Sequence, residues 1–275
     1  MSAVAAISAL SVHRGLLRAI SLAPALVALV LMVAGAAGQQ TPAGPSPDWL
    51  RERALEALQD GDLPTAAQML EQLGDRGVPQ GYTMLGQIKR DLGDHPDAAR
   101  WFERAAAGGD VMAMVEGGRL LSDPAYGLND PRRAFKLWLA AAERGSGPGQ
   151  YEVGRALMTG RGARQDDAAG ADWLEQSARQ CFAPAQLAYA LALREGRGRE
   201  ADGEEAFAWI VAAERASETW ERPDLDRLAR LEVEITGYMP SAQVRSAYCR
   251  GLDILAASCG TADILFRIER WLVCE

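Results

Sequence analysis

Apolar residues beyond Trp49 fall in short blocks separated by three or four positions rather than in strict alternation. Ala98, Trp101, Phe102, Ala105 and Ala106 follow the i, i+3, i+4, i+7 spacing that gathers side chains on one face of an α-helix. This block recurs. Ala66-Ala67, Met69-Leu70 and Gly77 return 32 residues later as Ala98-Ala99, Trp101-Phe102 and Gly109. Three further steps of 36 residues give Ala134-Phe135, Leu137-Trp138 and Gly145, then Gly170-Ala171, Trp173-Leu174 and Cys181, and finally Ala206-Phe207, Trp209-Ile210 and Ser217. An earlier block in each unit repeats too: Leu85-Gly86 aligns with Gly117-Gly118, Val153-Gly154 and Tyr189-Ala190, each following a small residue at Gly81, Ala113, Gly149 or Ala185. Asp91-Leu92-Gly93-Asp94, Asp123-Pro124, Gly160-Arg161-Gly162 and Gly196-Arg197-Gly198 lie between the two blocks and carry loop chemistry. Each unit therefore reads as helix, loop, helix, turn. Val, Ile and Thr are sparse after about residue 40, which favours helices over pleated strands.

One hairpin of this size cannot bury its apolar face, but stacked hairpins cover one another and form a continuous layer. The spacing of 32 to 36 residues, the Ala-x-x-Trp-Phe-x-x-Ala-Ala block and the Gly-x-Gly loop resemble the Sel-one-like repeat, a branch of the tetratricopeptide-like solenoids. Residues 150–180 carry the resemblance most fully, and it extends over about residues 48–217. The first hairpin looks more like a plain tetratricopeptide unit, since its loop at Gly61-Asp62 is shorter than the later ones. The resemblance implies an all-α fold, an α/α superhelical solenoid of about five helix hairpins across residues 48–221. Residues 222–275 leave the pattern. Helix starts at Pro223-Asp224 and at Met239-Pro240-Ser241, and a break at Gly260-Thr261, suit a helical C-terminal cap over the last open face.

The chain's beginning is built differently. Arg14 and Arg18 precede a charge-free run from Ala19 to Gly38 that closes on small residues, the pattern of a secretory signal peptide over residues 1–38. An uncleaved anchor at residues 19–38 is the alternative, because about 20 apolar residues can span a bilayer. A Pro-rich linker follows at residues 39–47. Loss of the leader removes Arg14 and Arg18, leaving 27 basic against 37 acidic residues, a formal charge of −10. Such an acidic chain is poorly suited to nucleic acid, and apart from the leader it carries nothing that would hold a membrane. The expected location is periplasmic or secreted.

In an exported chain the four cysteines, Cys181, Cys249, Cys259 and Cys274, suggest two disulfides. If residues 241–258 and 262–273 are antiparallel helices, Cys259 at the turn is about 20 Å from Cys274, and it is about 15 Å from Cys249 on its own helix. A bridge spans at most about 7 Å. Cys249–Cys274 remains, and with it, by default, Cys181–Cys259.

Little in the chain points to catalysis, metal or cofactor. His95 is the only histidine beyond the leader, precedes Pro96 and reads as an exposed turn residue. The paired acids Asp166-Asp167 and Glu204-Glu205 fall where second helices begin, where carboxylates favour the helix dipole and cap free amides. The Gly-Arg-Gly loops follow helices rather than strands, so they lack the strand-to-helix setting of a phosphate loop. Some cysteine-rich members of the resembled family are linked to β-lactams, but they carry a cysteine pair in every repeat, unlike this chain. Trp101, Trp138, Trp173 and Trp209 occupy repeated apolar positions and are expected in the core.

In the resembled folds the first helices line the concave surface. The aligned positions there carry Gln87, Arg119, Arg155 and Leu191, and three residues on come Arg90, Ser122, Met158 and Arg194. Gln87, Arg90, Arg119, Arg155 and Arg194 are the candidate partner-binding residues, a row able to receive carboxylates. The resemblance implies a non-catalytic scaffold or adaptor for protein partners. A periplasmic regulator that restrains a membrane sensor kinase, and an envelope hydrolase acting on peptidoglycan or β-lactams, are the alternatives.

Overall fold

The computed structural model describes residues 44–216, 225–260 and 272–274; the leader expected at 1–38, most of the linker expected at 39–47 and the body of the expected last helix lie outside them. Residues 47–275 form one unit in which each helix up to Leu225–Thr236 packs on the one before it along the chain. Five hairpins follow in order: α1 (Pro47–Gln59) with α2 (Leu63–Asp75), α3 (Gln80–Asp91) with α4 (His95–Ala107), α5 (Val111–Ser122) with α6 (Pro131–Glu143), α7 (Gly147–Thr159) with α8 (Asp167–Ala178), and α9 (Ala183–Glu195) with α10 (Gly203–Ala216). Helices α11 (Leu225–Thr236) and α12 (Ser241–Cys259) come after them, and α12 packs along α10. The fold is an all-α solenoid.

A repeated aspartate starts every second helix. Asp62, Asp94, Asp130, Asp166 and Asp202 each accept the backbone N–H three residues on, from Thr65, Asp97, Arg133, Ala169 and Glu205. This N-cap satisfies one of the amides that a helix leaves free and typically stabilises it by about 1 kcal/mol. Asp166 thus has the capping role expected of it, while Glu204 turns instead to Arg250 of α12 at 3.0 Å.

The two apolar residues of the repeated pair have different fates. The second member fills the interior in every unit: Leu70, Phe102, Trp138, Leu174 and Ile210 are 0–4% exposed. The first member, at Met69, Trp101, Leu137 and Trp173, is only half-buried. Trp101 and Trp173 therefore are not the core residues the repeat suggested. Trp209 is 2% exposed, with the Tyr189 ring edge-on at 5.5 Å, and on another face of its helix α12 approaches so closely at Gly251 that a Cβ would press on the Ala208 carbonyl and Val211. Each buried knob seats on the small residue of the first helix: Phe102 lies against Gly86, Trp138 against Gly118 and Leu174 against Gly154. Trp138 also donates its Nε1 hydrogen to the Val115 carbonyl at 3.3 Å.

The two repeat spacings come from the loop within each hairpin. The first two hairpins turn in three residues, and the next three use seven or eight. The longer loops reach back onto the preceding hairpin. Tyr126 lays its ring 4.6 Å from that of His95, so His95 is half-covered rather than an exposed turn residue. In the Gly-Arg-Gly loops, Gly162 and Gly198 abut the backbone at the start of α6 and of α8, where a Cβ would collide with the carbonyls of Pro131 and Asp167. The arginine between the glycines bonds to the end of the neighbouring first helix. Arg161 donates to the Ser122 carbonyl and Arg197 to that of Met158, at 2.6 Å in the second case. Both carbonyls lie in the last turn of a helix, where acceptors have no intrahelical partner. Arg197 also holds Asp167 at 3.0 Å, which keeps that carboxyl below the usual carboxylate range. Arg197→Ala should lower stability by about 1 kcal/mol in urea unfolding, against a few tenths for exposed Arg164→Ala. Equal effects would mean that the loop arginine does not tie the units together.

The structure joins Cys181 to Cys259 and Cys249 to Cys274, with Cα–Cα distances of 5.0 and 5.7 Å. These are the two pairs that the helix-length argument leaves. One bond ties the end of α8 to the end of α12, and the other ties α12 to the segment at 272–274.

Candidate functional site

Stacking sets the first helices α3, α5, α7 and α9 side by side, and three of the candidate arginines meet across them. Arg90 on α3 reaches Glu116 on α5 at 3.0 Å. Arg119 holds the other oxygen of Glu116 at 3.2 Å and crosses to Glu152 on α7 at 3.1 Å. Glu152 then meets Arg155 at 3.5 Å. The result is a ladder in which arginines and glutamates alternate over three helices. Gln87 sits at its edge, with Nε2 3.8 Å from the Met112 sulfur. Arg194 lies apart, paired with Glu234 of α11 at 3.0 Å, and Met158 of the aligned set is in the core. The row anticipated from the sequence is therefore one cluster, Arg90–Arg119–Arg155, plus a separate ion pair near the C-terminus.

The charges of the ladder lie at different depths. The Glu152 side chain is 9% exposed and that of Glu116 23%, whereas Arg119 and Arg155 are 40% and 56% exposed. The carboxylates form the floor and the guanidiniums face water. Arg155 also lies over the Tyr151 ring at 5.3 Å, and Tyr151 meets Phe182 edge-on at 5.4 Å. Burial pushes the Tyr151 hydroxyl above its ordinary pKa. A cleft of about 590 Å³ opens over the ladder, with Arg161, Tyr126 and Pro184 on its walls. Beside it is an apolar pocket of about 400 Å³ formed by Val111, Met112, Val115, Pro148, Phe182 and Pro184. Glu116, Arg119, Phe182 and Pro184 belong to both, so the two spaces share a wall.

Sequence reasoning found the arginines but missed Glu116 and Glu152, although a readable signal was present: each precedes an aligned arginine by three residues, one helical turn, at the 36-residue spacing. Arg161 was read as a turn residue, and the apolar pocket was missed because its walls come from the starts of three different helices. Among the described residues no group of three or more His, Cys, Asp or Glu side chains is placed to hold a metal ion. Nor is any helix among them long and apolar enough to cross a membrane.

The Sel1 repeat model matches residues 81–110, 118–146, 147–180 and 183–215. Two solved structures resemble the chain in fold. One is a protective antigen present in uropathogenic Escherichia coli strains, displaying an SLR fold, with a TM-score of 0.64 at 18% identity over 82% of this chain. The chain spans 47% of that protein's length. The other is a Sel1 repeat protein from Oxalobacter formigenes, with a TM-score of 0.54 at 17% identity, covering 77% of this chain and 85% of the other. No curated protein matches.

Proposed function

Because the chain belongs to the Sel1 repeat family, whose members are generally scaffolds for protein interaction, we propose that it is a non-catalytic adaptor whose first-helix groove receives a protein partner outside the cytoplasm. The observation that carries this reading is the groove itself. Stacking brings side chains from four consecutive hairpins to one open cleft beside an apolar pocket, and neither space is filled by the described residues. Concave sites with apolar walls and a few convergent charges are the usual form of a recognition surface. Two disulfides accord with an oxidising compartment, and the signal-peptide pattern of residues 1–38 accords with export.

Cross-linking in intact cells, followed by mass spectrometry of the captured proteins, tests the reading. Arg155→Glu and Met112→Glu alter exposed groove residues, and Arg100→Glu alters an exposed residue of the second helix α4. The groove variants should lose at least nine-tenths of the captured partner with little change in stability, and Arg100→Glu should keep it. Capture undiminished in both groove variants would place the partner elsewhere. The recovered chain should begin between Ala37 and Gln39; Met1 on soluble cytoplasmic protein would refute export.

A further inference from the structure

The depth of the charges narrows what the groove can bind. A ligand approaching the ladder meets Arg119 and Arg155 first, because the carboxylate they share, on Glu152, is sunk in the floor. The protein as a whole carries a formal charge of −8, so this stretch presents a local charge opposite to the net one. Exposed guanidiniums already oriented by buried carboxylates are preorganised donors for another carboxylate, and less rotamer entropy is lost on binding it. Arg119 also walls the apolar pocket. A group held in that pocket therefore lies beside a group held at the ladder, with no gap between them.

Resting on the scaffold reading, we propose that the groove recognises an extended acidic segment of its partner, with an apolar side chain seated among Val111, Val115 and Pro148 and a neighbouring carboxylate held by Arg119 and Arg155. The two spaces, about 590 and 400 Å³, match sites that take a few side chains rather than a channel for a helix about 10–12 Å across. Alternate residues of an extended chain, i and i+2, point to the same face about 6.6 Å apart and can supply both groups to adjoining pockets.

Selection of phage-displayed random heptapeptides on the immobilised oxidised chain lets the groove report its own preference. Enriched peptides should place Asp or Glu within two residues of Leu, Ile, Met or Phe. Resynthesised with fluorescein, they should bind at least tenfold more weakly to Arg155→Glu and to Met112→Glu, be unaffected by Arg100→Glu, and weaken as salt is raised. Enrichment of basic peptides would show that Glu116 and Glu152 are read instead, and would overturn the proposal. So would peptides that bind Arg155→Glu undiminished. If no peptide is enriched while the groove variants still lose their partner in cells, the extended-segment proposal fails and the scaffold reading survives. Loss of neither would sink both.

Discussion

Trp138→Ala should destabilise the protein by about 3–5 kcal/mol, the range for removing a large aromatic from a packed interior. Trp138 is 4% exposed, fills the hollow over Gly118 and spends its N–H on the Val115 carbonyl, so alanine leaves a cavity that neighbouring helices cannot fill without moving. It lies in the third of five hairpins, and a stacked array depends on contacts between neighbours. The damage should therefore reach beyond stability. Hairpins on either side should unfold less cooperatively, with a lower dependence on urea or two resolved steps. Trp173→Ala, at the half-buried position one helical step aside, should cost only about 1–2 kcal/mol. Equal losses for the two tryptophans in urea titrations would contradict the division between fully and partly buried members of the repeated pair.

That division marks how far the sequence could be read. Period and helix faces were legible because stacking demands the same apolar block in every unit, whatever fills the loops. Which of two adjacent apolar residues goes fully inside was not legible, since both lie within one broad face and a neighbouring element decides the difference. Trp101 has Tyr82 stacked 5.7 Å away and the Arg104 guanidinium 5.0 Å from its ring, whereas Trp209 has Tyr189 edge-on at 5.5 Å and is 2% exposed. The candidate site was legible in the same partial way. Arg90, Arg119 and Arg155 were found from alignment alone, but their charge is interpretable only with the depth of Glu116 and Glu152, and depth belongs to the assembled groove. Arg194 resembled them in sequence and parted from them because the element beyond its hairpin supplies Glu234.

Reduction of the Cys181–Cys259 bond should cost about 4–5 kcal/mol in the chain-entropy view, since the bond closes a loop of 78 residues; the 25-residue loop of Cys249–Cys274 gives about 3–4 kcal/mol. The longer closure matters more for a local reason as well. Cys181 stands where earlier units carry Gly77, Gly109 and Gly145, and like them it has a positive φ, at 61°. A side chain in that conformation costs about 1 kcal/mol that glycine avoids, and here the bond to α12 holds it in place. Two double variants separate the two contributions. Cys181→Ser with Cys259→Ser should lose the loop closure and keep the backbone penalty. Cys181→Gly with Cys259→Ser should lose the same closure yet recover about 1 kcal/mol. In both, α12 should loosen from α10 before the hairpins open. Hydrogen exchange should accelerate first in residues 241–259. If the Gly variant is no more stable than the Ser variant, the left-handed turn carries no penalty. If residues 241–259 stay protected in both, packing around Gly251, Leu252 and Leu255 is sufficient to hold α12 without the bond.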